Sequence, residues 1–346
     1  MRIGKGYYEM KNPLISVIVP MYNAEKYIEK CLESVMRQSF DDYEVIVVDD
    51  GSKDLSPRIA DQFAKNYQNL KVIHQENSGV IRARKTGVQN ASGEYILNLD
   101  SDDWLLNDHL FCIAEEIKDN CPDIVVTGYI EDNKGVQTEY CQNIAPGFYS
   151  GIQMQSEIIA KFISTKKFFS FGIYPTLWTS CIKSDLVRNA QVNLPETYSI
   201  GEDISVTYPC IIQASSLSVL NIHSYIYRIQ HESMTHVFDE KFSEKVIYLL
   251  EYLKLALPKY ITNSDQFRDY VVFETCLLVS SYLELGIKKH PYKEMIDRIN
   301  AAIQHPIISE AVFSIDIKQK NIPLKYKVKI FLIKKHWFKL FSALLK

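Results

Sequence analysis

Residues 14–50 read LISVIVPMYNAEKYIEKCLESVMRQSFDDYEVIVVDD and contain the pattern that decides the fold. The first seven residues are a continuous apolar, β-branched run, which is typical of a strand covered on both faces. Residues 24–38 then place apolar side chains at helical spacing, and residues 43–50 form a second apolar run. A strand, a helix and a second strand in this order predict a largely parallel sheet.

The same alternation continues to about residue 130. Ser56-Pro57 is predicted to open a helix, with serine at the cap and proline at the first helical position. The elements predicted after it are a strand at 70–75, a helix at 80–90, a strand at 95–100 and a strand at 123–130. We therefore predict an α/β fold with a doubly wound, mostly parallel sheet flanked by helices.

The pattern changes to helices near residue 239. Apolar residues recur at helical spacing over 241–257, 265–286 and 292–304. The predicted organisation is an α/β domain over 1–237, a helical region over 238–324 and a basic amphipathic helix over 325–346.

Composition excludes several classes of protein. The chain has 346 residues, 47% of them apolar and 23% charged, which argues against disordered, collagen-like and coiled-coil chains. The net charge of −3 argues against nucleic acid as a partner. Seven scattered cysteines, with no CxxC pair, favour a reducing compartment. The N-terminus lacks the apolar core of a signal peptide, and no transmembrane helix is expected, so the sequence predicts a cytoplasmic protein.

The C-terminal end is unusually basic. Residues 318–346 contain nine lysines and no acidic residue, whereas the rest of the chain has a balance of −12. Wound as one helix, residues 325–346 separate a lysine face from an apolar, aromatic face, which is typical of a helix lying on an anionic membrane. The alternative is a helix packed on the acidic body of the protein itself. The predicted apolar face contains Ile330, Ile333, Trp337, Phe338, Leu340, Phe341, Leu344 and Leu345.

Polar residues crowd the predicted carboxyl ends of the strands, where open parallel sheets bind ligands. The first strand ends in Tyr22-Asn23, the second in Asp49-Asp50, and the strand at 95–100 runs into DSDD. Neither GxGxxG nor GxxxxGK[ST] follows the first strand, so a dinucleotide fold and a P-loop are unsupported. Hard carboxylate oxygens in DSDD suit Mg²⁺ or Mn²⁺, which take one or two protein carboxylates together with phosphates.

Four ordered blocks resemble the inverting family 2 glycosyltransferases with the GT-A nucleotide-sugar fold. The blocks are SVIVPMYNAEKYIEKCLESVMRQSF (16–40), YEVIVVDDGSKDLS (43–56), NSGVIRARKTGV (77–88) and GEYILNLDSDDWL (93–105). With GEDISV at 201–206, the resemblance extends more thinly to about residue 237. It implies a nucleotide-sugar donor, most simply a UDP-sugar.

The resemblance implies roles for residues in the first three blocks. Pro20 and Tyr22 would form a wall against a pyrimidine base, and Asp50 would accept a hydrogen bond from the uracil N3–H. Gly79 matches a family glycine, and Arg84 matches a basic position that approaches the nucleotide phosphates.

The DSDD block is implied to hold the metal. Asp102 is the expected ligand of Mn²⁺ or Mg²⁺, and Asp100 would face the ribose or the water shell of the metal. The simpler interpretation of Asp103 is that it caps a helix that starts near Leu105.

The resemblance also places catalytic and phosphate-binding residues further along the chain. Asp203 is the expected general base and Glu202 a positioning residue, the alternative being that both cap the 204–213 helix. In YRIQHESMT (227–235), Arg228 would contact a phosphate, and His231 a phosphate or the metal. Trp178 either lines the acceptor site or is a buried aromatic residue.

Together these features predict a metal-dependent inverting hexosyl- or N-acetylhexosaminyltransferase acting in surface polysaccharide synthesis, such as capsule or O-antigen. Its acceptor would be a glycan or a polyprenyl-diphosphate-linked sugar, met at the inner face of the cell membrane, where the enzyme is peripheral. Transfer of one sugar per encounter is favoured, because the QxxRW motif of processive members is absent. One alternative is a non-catalytic sugar-nucleotide-binding or scaffold protein of the same fold. Another is a nucleotidyltransferase, which would need a glycine-rich basic loop after the first strand.

Overall fold

The computed structural model describes residues 12–165, 167–168, 170–192, 194, 201–229 and 238–345. Its strands are β1 Ile15–Met21, β2 Tyr43–Asp49, β3 Leu70–His74, β4 Tyr95–Asn98, β5 Trp104–Leu105, β6 Ile124–Val126, β7 Tyr129–Asn133, β8 Val136–Tyr140, β9 Gly147–Ser150, β10 Ser180–Lys183, β11 Ser216–Val219 and β12 Tyr225–Arg228.

The helices are likewise numbered in chain order. They are α1 Ile28–Met36, α2 Ser56–Asn66, α3 Val80–Gln89, α4 His109–Asn120, α5 Gly151–Gln153 (continued by a π-helical turn, Met154–Ile159), α6 Ser184–Val192, α7 Glu202–Gln213, α8 Phe242–Ala256, α9 Lys259–Thr262, α10 Asp265–Glu284, α11 Tyr292–Gln304, α12 Pro306–Ser314, α13 Leu324–Lys334 and α14 Phe338–Leu344.

The larger sheet has eight strands among the described residues, in the order β3-β2-β1-β4-β10-β6-β11-β9. Strands β3, β2, β1 and β4 are mutually parallel, so their carboxyl ends meet at one edge. Strand β10 lies antiparallel between β4 and β6, and β11 runs parallel to β6. The predicted α/β fold, with a central sheet flanked by helices and a helical C-terminal region, is confirmed.

A second sheet has the order β5-β12-β7-β8. The predicted single strand at 123–130 is wrong, because the chain leaves the large sheet after β6 and enters the small one at β7. Gly128 lies at this crossing, where a Cβ atom would approach the Tyr140 carbonyl oxygen to 2.5 Å and the His223 ring to 2.6 Å. The chain can therefore turn here only with glycine.

Alternate residues of β1 point into two different cores, as the pleat of a strand requires. Val17 and Val19 pack with the residues beneath α1 and α4. Ile18 belongs to the other core, which extends without interruption to Phe341 of α14. The C-terminal helices thus share a hydrophobic core with one face of the large sheet.

The C-terminal segment differs from its prediction. It is two helices, α13 and α14, separated at Lys335–Trp337, where His336 has a φ of 55°. Ile330, Ile333, Phe338 and Phe341 are buried in the shared core, so much of the predicted apolar face is covered by protein. The expectation of one continuous helix is wrong, because the two short helices fold back on each other and on α10.

Helix α10 and the turn after it, Asp265–Lys288, are long and apolar enough to cross a membrane by length and composition alone. Just over half (56%) of its most apolar 18-residue window is buried inside the protein, and α10 packs against α8, α11 and α12. Helix α10 is the central helix of the C-terminal core.

Candidate active site

The end of β1 brings two predicted donor-binding residues to the carboxyl edge of the large sheet. Pro20 lies within β1 and is buried, in register with Val48 of β2. Tyr22 follows the strand directly and is 51% exposed. The Tyr22 ring is therefore accessible to a ligand, whereas Pro20 supports the end of the strand from inside. Their contact with a base stays a prediction.

Asp50 is buried at the end of β2 and holds the loop that precedes α3. Its Oδ1 accepts hydrogen bonds from Gln75 Nε2 at 2.7 Å and from the Ser78 amide at 2.9 Å, and its Oδ2 accepts one from the Gly79 amide at 2.8 Å. Gly79 has a φ of 89°, a conformation that favours glycine. Asp50 thus shapes this loop, and its bond to uracil stays a prediction.

Arg84 of α3 joins acidic residues from two distant parts of the chain. Its Nη2 donates to Asp100 Oδ1 at 2.8 Å, and its Nη1 donates to Asp203 Oδ1 at 2.7 Å and, more weakly, to Glu202 Oε1 at 3.4 Å. The residue is only 4% exposed. Burial opposes its charge, but Asp203, Asp100 and Glu202 outweigh that effect and raise the pKa of Arg84 above its ordinary value. Its predicted approach to the phosphates stays a prediction.

Asp203 has the environment of a group that can exchange a proton near neutral pH. Burial raises its pKa to about 7, the nearby Glu202 and Asp100 act in the same direction, and Arg84 opposes the shift. Its Oδ2 also accepts a hydrogen bond from the Leu177 amide at 3.3 Å. A base is most effective when its pKa lies close to the working pH, so this shift favours the predicted role.

Glu202 and Asp203 form the first turn of α7, directly after Gly201, whose φ is 68°. A Cβ atom on Gly201 would lie 2.4 Å from a Leu249 methyl carbon, so glycine is required at this entry to the helix. The hydrogen bonds of the two carboxylates go to Arg84 and to the Leu177 amide, not to the end of α7. The helix-capping alternative is therefore not supported.

Asp103 fixes the DSDD turn to the second sheet. Its Oδ2 accepts a hydrogen bond from the Tyr225 hydroxyl at 2.7 Å, and its Oδ1 accepts one from the Arg228 amide at 2.8 Å. Burial, with Asp102 and Asp100 nearby, raises the pKa of Asp103 well above its usual range. The prediction that Asp103 caps a helix starting near Leu105 is wrong: Trp104–Leu105 is strand β5, and α4 begins at His109.

Arg228 lies beside the same turn and carries positive charge to it. Its Nε donates to the Asp102 carbonyl oxygen at 2.7 Å, and its guanidinium lies over the rings of Tyr27 and Trp104, 4.9 and 4.7 Å from their centroids. Lys30 Nζ lies 3.1 Å from the Trp104 ring centroid. His231, the other predicted contact in this loop, lies outside the described residues.

Sequence reasoning missed Lys30 and Tyr27 as members of this basic, aromatic corner. Burial and the charge of Arg228 lower the pKa of Lys30, and both cations lie over the Trp104 ring. Tyr27 precedes α1 and Lys30 lies in its first turn, so the one available signal was their place just after the Tyr22-Asn23 strand end.

The acidic turn fits a divalent cation that arrives with phosphate. No group of three or more His, Cys, Asp and Glu residues in the described part of the chain is arranged to hold a metal. Asp100 Oδ1 accepts a hydrogen bond from Arg84, while no hydrogen bond from the described residues reaches its Oδ2. Asp100 and Asp102, one residue apart in the turn, would supply the one or two carboxylates that Mg²⁺ or Mn²⁺ takes when diphosphate oxygens supply other ligands.

Trp178 is a buried aromatic residue rather than an open acceptor wall. Its ring stacks on Tyr225 and Tyr227 with centroid separations of 4.6 and 5.4 Å, and the Tyr129 ring meets it edge-on at 4.9 Å. The preceding residue, Leu177, donates its amide to Asp203. The aromatic stack therefore supports the backbone that holds the predicted base.

We expect Tyr225→Phe to lower the free energy of unfolding by about 1–3 kcal/mol. The variant keeps the ring but removes the hydroxyl that donates to Asp103 and accepts from the Asp100 amide, which leaves buried polar groups unpaired. Urea unfolding measures the loss. Tyr22→Phe, at an exposed tyrosine, is the matched control and should change little. Equal midpoints for the two variants would contradict this account of the turn.

This chain resembles known proteins in both sequence and structure. The sequence model of glycosyl transferase family 2 matches residues 16–178. The putative glycosyltransferase EpsH of Bacillus subtilis is 31% identical over 244 residues, which are 70% of this chain and 68% of EpsH. Glycosyltransferase GlyA of Streptococcus pneumoniae is 30% identical over 233 residues. This match covers 67% of the chain but only 33% of GlyA, so the chain spans about a third of that relative.

Among solved structures, the crystal structure of Staphylococcus aureus TarS 1–349 in complex with UDP-GlcNAc superposes with a TM-score of 0.64. The match has 21% identity and covers 95% of this chain and 89% of that one, so it shows a shared fold. The identity and coverage of the EpsH match, with the family model aligned over the strands that carry the acidic turn, establish the relationship. The chain belongs to glycosyl transferase family 2.

Proposed function

We propose that the protein is an inverting glycosyltransferase that moves one sugar per encounter from a nucleotide-sugar to a glycan or lipid-linked acceptor in surface polysaccharide synthesis. The observation that carries the proposal is the pairing of Arg84 with both Asp100 and Asp203. Inversion requires the acceptor oxygen to attack from the face opposite the leaving diphosphate. The base, Asp203, and the carboxylate on the donor side, Asp100, must therefore be held at a fixed separation. The buried guanidinium of Arg84 holds them there.

Asp203 acts as the general base in this proposal. In its ionised form it takes the proton of the acceptor hydroxyl as that oxygen forms its bond to the anomeric carbon. The bond between the anomeric carbon and the diphosphate breaks on the opposite face, and the nucleoside diphosphate leaves. The Leu177 amide and Arg84 orient the Asp203 carboxylate, and Glu202 helps to hold Arg84.

The leaving diphosphate is stabilised by positive charge beside the acidic turn. Arg228 and Lys30 supply two cations at this corner, and Arg228 is fixed by its bond to the Asp102 carbonyl. Asp102 and Asp100 would hold Mg²⁺ or Mn²⁺, and the cation would supply positive charge for the leaving diphosphate.

A UDP-sugar is the proposed donor, carrying a hexose or an N-acetylhexosamine. The structure of TarS with UDP-GlcNAc supports this choice through the shared fold. In this chain, exposed Tyr22 lies at the end of β1 next to the Asp50 loop, a suitable place for a pyrimidine ring. The accessible Tyr22 ring and the basic, aromatic corner, which contains Arg228 and Lys30, lie at the same edge of the large sheet.

The second candidate is a non-catalytic sugar-nucleotide-binding or scaffold protein of the same fold. A scaffold would need the residues that bind the nucleotide, but it would not need an ionisable carboxylate beside the sugar. The pKa of about 7 at Asp203 and the two hydrogen bonds that orient its carboxylate, from Arg84 and from the Leu177 amide, favour the enzyme.

The proposal is tested by presenting the purified protein with UDP-, GDP- and dTDP-sugars, with Mg²⁺ or Mn²⁺ and with EDTA. Calorimetry measures binding, and release of the nucleoside diphosphate measures hydrolysis or transfer. Metal-dependent release from one donor class supports the enzyme. Tight binding with no release under any condition supports the scaffold instead, and failure to bind any of these donors would reject both.

We further propose that the protein works at the inner face of the cell membrane as a peripheral protein. The supporting surface is the C-terminal patch, defined as the exposed side chains of Phe331, Trp337, Leu340 and Leu344. The Phe331 and Trp337 rings meet edge-on at 5.8 Å. Lysines 325, 335 and 339 are exposed around the patch, which suits an anionic lipid surface. The anionic surface would bring the enzyme to its lipid-linked acceptor.

We expect the double variant Trp337→Ala/Leu340→Ala to bind vesicles of phosphatidylglycerol and phosphatidylcholine about tenfold more weakly than the unchanged protein, because two half-exposed apolar side chains no longer enter the interface. Sedimentation with vesicles at low salt measures the bound fraction. Leu255→Ala, at a leucine that is 88% exposed on α8, is the control and should bind normally. Removal of 325–346 is a poorer test, because it also removes buried Ile330 and Phe341. Equal binding of both variants would reject the patch.

A further inference from the structure

A cysteine and a histidine meet beside the second sheet, just after β8 and just before β12. The Sγ atom of Cys141 lies 3.1 Å from Nε2 of His223, and it also lies 3.8 Å from the Asn221 side-chain oxygen. Cys141 follows β8 and is exposed, so its thiol is open to reagents in solution. A thiol in contact with an imidazole can pass its proton to the ring and become a thiolate, which is the nucleophilic form of cysteine.

The histidine is held in place for this contact by its surroundings. Its Nδ1 lies 3.9 Å from Glu139 Oε2, on the side of the ring opposite the sulfur. The ring packs on Gly128, where a Cβ atom would lie 2.6 Å from His223 Cδ2 and 2.8 Å from Nε2. The glycine at the crossing between the two sheets thus leaves the space that the imidazole occupies.

We propose that Cys141 is a reactive thiol that forms a mixed disulfide with low-molecular-weight disulfides. In the balanced step, the Cys141 thiolate attacks one sulfur of the small disulfide, and a new sulfur–sulfur bond forms as the old one breaks. The second half of the reagent leaves as a thiolate and takes up a proton. Cys141 is oxidised and the small disulfide is reduced, so no further oxidant is needed. His223 is a positioning residue that stabilises the attacking thiolate.

The chain offers its own control for this proposal. Cys121, at the end of α4, is also exposed, and no histidine contacts its thiol among the described residues. Cys31, Cys181, Cys210 and Cys276 are buried. A comparison of two exposed cysteines in one folded protein removes differences in concentration, buffer and folding state.

The experiment treats the full chain at pH 7 with oxidised glutathione and, separately, with iodoacetamide, and follows each cysteine-containing peptide by mass spectrometry. We expect Cys141 to react about tenfold or more faster than Cys121 with both reagents. In His223→Gln, the Cys141 rate should fall to about that of Cys121, while the buried cysteines stay unreactive and so report an intact fold. Equal rates at Cys141 and Cys121 in the unchanged protein would overturn the proposal. So would an unchanged Cys141 rate in a folded His223→Gln variant.

Discussion

Asp203→Asn is expected to leave donor affinity nearly unchanged while reducing sugar transfer by roughly 10²–10⁴, the usual contribution of a general base. Asparagine preserves the size of the side chain and its hydrogen bond from the Leu177 amide, but it cannot accept the proton of the acceptor hydroxyl. Donor binding is measured by calorimetry, and transfer by release of the nucleoside diphosphate in the presence of acceptor. Collapse of donor binding in this variant would make Asp203 structural and place the base elsewhere.

The same assignment predicts a pH dependence. Burial raises the pKa of Asp203 to about 7, so the ionised, proton-accepting form becomes the major form only above that pH. Transfer by the unchanged enzyme should therefore rise with pH through about 7 and then level off. Asp203→Asn should lose this rise, whereas Glu202→Gln, which retains the base, should keep a rising profile. A profile that is flat from pH 5 to 8 in the unchanged enzyme would contradict the assignment.

Asp102→Asn is expected to lower turnover by about 10²-fold or more and to weaken metal-dependent donor binding with it. One negative charge of the cation site is lost, so the cation that neutralises the leaving diphosphate is held less tightly. EDTA should have an effect of similar size on the unchanged enzyme, and added Mg²⁺ or Mn²⁺ should reverse it. Both effects are measured by diphosphate release and by donor titration with and without metal.

A matched control separates the cation site from general changes of charge. Asp185→Asn removes one carboxylate from the start of α6, where the side chain is well exposed to solvent, and should leave turnover unchanged. Full activity of Asp102→Asn, or full activity of the unchanged enzyme in EDTA, would overturn the metal assignment.

The donor side of the fold could be predicted from the sequence because its signals are local. Strands β1 and β2 are apolar runs covered on both faces, and each is followed at once by the polar residues that its carboxyl end presents. The positions of Tyr22, Asp50 and Asp100 at one edge follow directly from the parallel order of β1, β2 and β4.

Local sequence patterns do not predict the contact between the two halves of the site, the one around Arg84 and the one around Asp203. Arg84 and Asp203 are 119 positions apart, and nothing near either residue indicates the other. Asp103 was misjudged for a similar reason, since its partners Tyr225 and Arg228 come from a strand more than 100 residues away. Only the pairing of β5 with β12 brings them together.

The C-terminal segment shows what helical spacing leaves undecided. A stripe of apolar residues predicts a covered face but does not say what covers it. In the structure the protein covers Ile330 and Phe341, whereas Trp337 and Leu340, in and after the break between α13 and α14, stay exposed. The break could not be foreseen, because neither glycine nor proline marks it.

The shared guanidinium of Arg84 makes the two ends of the site thermodynamically dependent on each other. Its positive charge is divided between Asp100 and the acidic pair at the start of α7, so a change in charge at one end alters the electrostatic free energy at the other. Thermodynamic linkage makes this effect reciprocal. If donor binding changes the free energy of proton loss at Asp203, then proton loss changes the free energy of donor binding by the same amount. The affinity for donor should consequently vary slightly with pH even in the absence of acceptor, by no more than the small change expected for Asp203→Asn, and Arg84, which is buried, sets the size of that variation.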